Sequence, residues 1–232
     1  MNLKEMLNSV LGQSSFLQRD AFATSTDPDN IQMVAFANRA AHEIREYFPW
    51  NMLRKSIQIT LVDGQLSYDL PEDFDWYVTE SMWKSGGARH VVIPTDNRYW
   101  AFIKAGNPGT RINYYAKLIG GKLEFTAVTG GDVINMDYIS RFAVEDVSGT
   151  PKEYFTADTD TWILKDYTLT LAIKAFWKAE KMMEGSELDM VHFKDHIKRD
   201  VAQDTPAKVI RKRPWGGAYT PYSPPISADY LW

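Results

Sequence analysis

The chain has 232 residues, 44% hydrophobic and 24% charged, an ordinary balance for a globular protein with a real core. It has no cysteine, which excludes disulfides, thiolate metal sites and cysteine nucleophiles and fits synthesis in a reducing cytoplasm. No apolar run reaches the roughly eighteen residues of a membrane span, and a net charge of −4 argues against a general nucleic-acid binder.

The charge is unevenly placed. Residues 206–232 set Lys208, Arg211, Lys212 and Arg213 against Asp229, a balance of +3 that leaves −7 for residues 1–205. An acidic body with a basic, aromatic tail points to a different partner for the tail.

In chain order, residues 1–16 carry Lys4 and Glu5 and lack both a long apolar stretch and a small-residue cleavage site. They read as a short amphipathic helix rather than a signal peptide. Residues 13–30 are polar and read as a loop. A helix is predicted over 29–48, capped by Asp27 or Asp29. Its apolar face is Phe36, Ala37, Ala40, Ala41, Ile44, Tyr47 and Phe48, and Pro49 stops it.

From Lys55 the period falls to two, with Ile57, Ile59 and Leu61 alternating with polar residues up to Asp63-Gly64, a hairpin signal. Residues 65–70 then read as the returning strand, ended by Pro71. Further strands are predicted over 77–83, 88–93, 111–118, 121–127 and 132–140, punctuated by glycine pairs, with a short helix near 95–104. Residues 144–160 read as a polar loop. A helix over 160–183 is outlined by Ile163, Leu164, Tyr167, Leu171, Ile173, Ala175 and Phe176. Gly185 ends it, and Ser186 caps another that runs to about Gln203 with Met190, Phe193, Ile197 and Val201 inward. The last 27 residues hold five prolines and Trp215, Tyr219, Tyr222, Tyr230 and Trp232, a composition that orders only on a partner.

The implied class is α+β. A bundle of about four helices (1–54 and 145–205) is interrupted by an inserted antiparallel β-sandwich or barrel domain (55–144), and an extended C-terminal arm follows (206–232).

Little in the sequence points to catalysis. His192 and His196 stand at i, i+4 with Asp189 one turn before, a spacing open to zinc, but the glutamate of an HExxH motif is missing. The favoured reading is a solvated helix face, with no metal and no cofactor. Asp27, Asp29 and the Glu72-Asp73-Asp75 group read as caps and loop residues rather than an acid/base pair. No GxSxG, GxxxxGK[ST] or GxGxxG occurs. Trp76, Trp83, Trp100, Tyr99, Tyr114 and Tyr115 are either core or a sugar-stacking surface, with core favoured. The Arg211-Lys212-Arg213-Pro214-Trp215 cluster suits either nucleic acid or a peptide arm that docks on a protein, with the arm favoured.

Three segments carry a family resemblance: ANRAAHEIREYFPWNMLRKSIQITLVDGQLSYDLPEDF (37–74), GDVINMDYIS (131–140) and ILKDYTLTLAIKAFWKAEKMMEG (163–185). A helix ending at Trp50, a strand, Asp63-Gly64 and then Tyr68-Asp69-Leu70-Pro71-Glu72-Asp73-Phe74 resembles the phage head-to-tail adaptors of the tail tubular protein A type. The resemblance covers about residues 30–205 and rests on order and spacing rather than on one motif.

It implies a non-enzymatic structural protein of the virion, at the head-tail junction. It also implies a ring of twelve copies beneath the portal protein, with a tail nozzle or tail tube protein below. Genomic DNA would pass the channel unread, and no membrane is involved. The C-terminal arm of such proteins docks on the portal, which makes Arg211, Lys212, Arg213, Trp215, Tyr219, Tyr222, Tyr230 and Trp232 the candidate contacts. The competing class is a carbohydrate- or receptor-binding β module of a phage tail. A third is a metal-dependent hydrolase built on His192 and His196.

Overall fold

The computed structural model describes residues 1–87, 90–106 and 114–204. Its elements begin with helices α1 (Leu3–Gln13) and α2 (Pro28–Tyr47), a single 3-10 turn (Asn51–Leu53), and strands β1 (Arg54–Thr60), β2 (Ser67–Asp69), β3 (Phe74–Tyr77), β4 (Trp83–Lys84) and β5 (Val91–Val92). Helix α3 (Asn97–Lys104) follows, then β6 (Tyr114–Ile119), β7 (Lys122–Phe125), β8 (Val133–Ser140), β9 (Val144–Glu145), β10 (Pro151–Lys152) and β11 (Thr161–Trp162). Helices α4 (Asp166–Glu180) and α5 (Ser186–Asp204) complete the described chain. The α+β class is as expected.

Local chemistry sets the helix starts. The Asn2 side chain accepts the Glu5 N–H at 2.9 Å while the Asn2 N–H donates to the Glu5 carboxylate at 3.0 Å, a reciprocal cap on α1. Helix α2 opens on Pro28, which needs no helical N–H partner, and Asp27 accepts the Asp29 N–H at 2.9 Å. Helix α4 is the centre of the bundle and packs against α1, α2 and α5. Its Leu169, Ala172 and Ile173 are fully buried, as are Leu3, Met6 and Leu7 of α1.

Two apolar cores result. The first joins the helices with Val144, Phe155 and Trp162 and with Ile139 of β8. The second lies between two sheets and includes Ile59, Tyr68, Leu123, Phe125, Ile134 and Met136. One sheet has the order β1-β8-β3, with β4 also on β8; the other has the order β2-β7-β6-β5. Among the described residues neither closes into a barrel, and β5 pairs with β6 in parallel, so the sheets are open and mixed rather than wholly antiparallel.

Where one strand is predicted over 77–83, β3 ends at Tyr77 and β4 begins only at Trp83, and three further sequence expectations change. Asp63-Gly64 is a turn, with Gly64 at φ 80°, but the strands on either side of it do not pair. β1 instead pairs with β8 from Arg54↔Ile139 to Thr60↔Val133, and β2 pairs with β7. The turn carries the chain from one sheet to the other and is braced by the Gly130 N–H, which donates to Asp63 at 2.5 Å.

The second change concerns residues 144–160, which are more than a polar loop. β9 is the middle strand of a three-stranded sheet with β10 and β11, because buried Val144 and Trp162 need a shared apolar face. The third follows from it. The Ile163 N–H donates to Ala143 O at 3.0 Å, so the chain remains extended there and α4 starts at Asp166.

Candidate functional site at the root of the C-terminal segment

The described chain ends where α5 meets the turn after α2, and this junction is built from residues far apart in sequence. Pro49 ends α2 and Trp50 folds back, donating its indole N–H to Ile44 O at 2.8 Å and remaining only 4% exposed. The next residue holds the end of α5 twice. The Asn51 N–H donates to the Asp204 carboxylate at 2.7 Å, and Asn51 Nδ2 donates to Asp204 O at 2.7 Å. The second bond satisfies a carbonyl that the helix end leaves without an intrahelical partner. The last described residue, Asp204, is therefore held at a fixed point on the bundle.

Beside that point is a cavity of about 140 Å³. Ile44, Trp50 and Leu164 form its apolar wall, half-exposed Met52 stands at its mouth, and Asp200 and Asp204 supply carboxylates. Burial works to raise the Asp200 carboxyl, but hydrogen bonds from Lys165 at 2.7 Å and from Thr168 outweigh it and hold it below the ordinary carboxylate range. Lys165 also reaches Gln203, and Thr168 meets His196 Nδ1 at 3.0 Å. With Asp200 paired in this way, Asp204 leaves the lining one negative charge in excess, which suits a ligand that is apolar on one side and cationic on the other.

The zinc candidates are drawn apart. Asp189 faces α4, paired with Lys174 at 3.1 Å and Lys178 at 2.8 Å. His196 packs edge-on to the Tyr167 ring at 4.7 Å, and His192 is exposed. Among the described residues no group of three or more His, Cys, Asp or Glu could hold a metal ion.

The carboxylates near the β strands have structural partners as well. Asp73 accepts from Lys55 at 2.6 Å, Tyr138 at 2.8 Å and Ser140 at 2.8 Å. Asp27 pairs with Arg19 at 2.9 Å, and Asp29 lies 3.4 Å from Lys181.

The aromatic residues divide. Trp100 is buried and Tyr114 and Tyr115 are half-buried, but Trp76 and Trp83 are 37% and 39% exposed and Tyr99 is 44% exposed. The expectation that these aromatics fill the core therefore fails for three of them. The portal-contact candidates Arg211, Lys212, Arg213, Trp215, Tyr219, Tyr222, Tyr230 and Trp232 lie outside the described residues.

The sequence also hid a charged cluster at the seam between the two cores. Arg45, 8% exposed, donates to Arg141 O at 3.0 Å, Glu153 at 3.4 Å and Glu46 at 2.8 Å. Burial and Glu46 push the nearby Asp75 carboxyl up, against Arg45 and Arg141. The available signal was a charged residue at 45, on the apolar face defined by 37, 41 and 44.

No helix among the described residues is long and apolar enough to cross a membrane. No curated protein matches the chain. The profile of the SU10 adaptor protein family matches residues 1–191, a span that takes in the N-terminal helix and stops within α5. That match covers well over half of the chain, and with it the chain belongs to the SU10 adaptor protein family, a family of phage head-to-tail adaptors.

Proposed function

We propose that the protein is the non-enzymatic joint between the portal protein and the tail, at the head-tail junction of the virion. In this reading twelve copies form a ring, a tail nozzle or tail tube protein binds below, and genomic DNA passes the channel unread. Residues 55–144 form an insert in the helical body, and residues 206–232 are the arm that grips the portal.

The observation that carries the arm is its root. The clamp of Asn51 on Asp204 gives a basic, aromatic segment a fixed origin on the bundle. Aromatic and arginine side chains are the usual anchors of a protein interface. The −7 of residues 1–205 supports the passage of DNA, since an acidic wall repels phosphates.

Deleting residues 207–232 abolishes capture by immobilised portal while the far-UV circular dichroism of the bundle is retained; undiminished capture overturns the arm. Electron microscopy of the protein mixed with portal shows an added twelve-fold layer, and a portal without added density overturns the ring.

One observation favours the sugar-binding reading. Trp76 and Trp83 pair with Ile139 and Asn135 of β8, so both lie on the sheet face turned away from the second core. Four residues of β8 separate them by about 13 Å. Glycan binding that is lost in Trp76→Ala and Trp83→Ala, with portal capture unchanged, would select that reading.

A further inference from the structure

The cavity beside Asp204 lies next to the point from which residues 205–232 depart. We propose that in the unassembled protein the chain's own residues 209–215 fold back into this cavity. Portal then has to displace them to engage the arm.

Three observations converge. The first is reach. Asp204 itself lines the cavity, and Val209 follows five residues later, within at most about 18 Å of extended chain. Pro206 has no N–H with which to continue α5.

The second is chemistry. The wall of Ile44, Trp50 and Leu164 takes an apolar side chain, and Asp204, beyond the Lys165–Asp200 ion pair that also lines the cavity, takes a cation. Val209, Ile210 and Trp215 with Arg211, Lys212 and Arg213 supply both kinds within seven residues. The +3 of residues 206–232 also opposes the −7 of the rest of the chain.

The third is exposure. Met52 is 55% exposed at the cavity mouth, and Tyr167, beside Thr168 and His196, is 58% exposed. Apolar surface of this kind gains from cover. An occupant tethered at the rim has a high effective concentration, so even weak contacts hold it. The proposed consequence for portal rests on the arm reading above, whereas the docking itself does not.

The chain has no native cysteine, so disulfide trapping is unambiguous. Met52→Cys with Ile210→Cys in the full chain, oxidised in dilute solution, closes an intramolecular disulfide. Met182→Cys with Ile210→Cys is the control, since Met182 is exposed at the other end of α4. Closure in the first pair is expected to be about tenfold faster than in the control. Adding Arg211→Glu, Lys212→Glu and Arg213→Glu slows it.

Equal rates in the two pairs overturn the proposal. Disulfide-linked dimers in place of the closed monomer also overturn it, because they put the segment in a neighbour's cavity. Portal capture separates the two readings. Loss of capture on oxidation, restored by reductant, supports both. Rapid closure with capture unchanged keeps the docking and removes the arm as anchor. Absence of closure, with capture still dependent on 207–232, keeps the anchor and removes the docking.

Discussion

Asp160 holds the N-terminal helix, and its replacement tests how. The residue is fully buried, and one oxygen, Oδ2, accepts both the Thr156 N–H at 2.7 Å and the Ala157 N–H at 2.8 Å. The other, Oδ1, lies 2.7 Å from Lys152 Nζ. This braced loop then serves α1: Asp160 O accepts the Leu3 N–H at 2.8 Å, and Asp158 O accepts the Lys4 N–H at 3.1 Å. The Asp158 carboxylate meanwhile accepts the Phe22 N–H at 3.1 Å and the Ala23 N–H at 2.9 Å.

Asp160→Ala strips two backbone donors of a charged acceptor and leaves a lysine unpaired. Bonds to charged groups contribute about 1.5–3 kcal/mol each, and breaking a buried pair costs about 3–5 kcal/mol. Because Lys152 is partly exposed, a total of about 4 kcal/mol is expected. Asp160→Asn retains an acceptor at the Oδ2 position and removes only the ion pair, for about 1–2 kcal/mol.

Urea unfolding followed at 222 nm reads both variants. At an m of about 2.5 kcal/mol/M the alanine variant loses about 1.6 M in midpoint, with m unchanged. A loss below about 1 kcal/mol for alanine, or equal losses for the two variants, refutes this account of the latch.

Other perturbations follow from the same contacts. A Cβ at Gly130 would sit 2.8 Å from Asp63 Cγ, so Gly130→Ala lowers the melting temperature, by about 1–3 kcal/mol of stability. Adding Asp63→Ala recovers part of that loss, and simple additivity of the two would contradict the clash. Asp75 has its carboxyl raised by burial and by Glu46, so its charged form opposes folding at neutral pH. Asp75→Asn therefore raises the melting temperature at pH 7, and the gain disappears in acid where Asp75 itself protonates; a gain of equal size at low pH contradicts the assignment. Burial acts to raise the carboxyls of Asp73, Asp137, Asp189 and Asp200, but their hydrogen-bond partners prevail and hold them below 3.8. Their stabilisation is complete above 3.8 and is lost as pH falls through the folded values, so Asp200→Asn flattens the acid limb of stability against pH. An acid limb parallel to that of the unsubstituted chain would refute this role for Asp200.

What the sequence revealed is what neighbours in the chain determine. Asp27, Pro28 and Pro49 mark both ends of α2 to within one residue, because capping and proline geometry act over a single turn. The family likewise follows from ordered local signals, such as Trp50 before β1 and Asp63-Gly64 after it. Pairing does not follow in this way. Asp63-Gly64 looks like a hairpin turn, and only the competing partner 132–140, some seventy residues on, makes it a crossover. Buried charge is nearly as silent: beyond the position of Arg45 on an apolar helix face, nothing local marks Arg45, Asp160, Asp189 and Asp200 as buried, and their partners Arg141, Lys152, Lys174 and Lys165 come from elsewhere in the chain. The junction beside the cavity is a further case, since Asn51 and Asp204 meet across a separation of 153 residues.

The strand β8 gives these long-range contacts a mechanical meaning. Its Ile134 and Met136 lie in the second core and its Ile139 in the first, so one unbroken strand is shared by both. It is paired along β1 from Thr60↔Val133 to Arg54↔Ile139, and β1 leaves directly from the turn that holds Asp204. The seam beside it is closed by buried Arg45 bonded to Arg141 O and Glu153. A hinge between the two cores would have to break registered backbone pairs and expose a charged cluster together. A load applied at the root of the C-terminal segment therefore passes through Asn51 into β1 and β8 and is carried by the sheet as well as the helices. That continuity is the property that the helix–sheet–helix order of the chain builds.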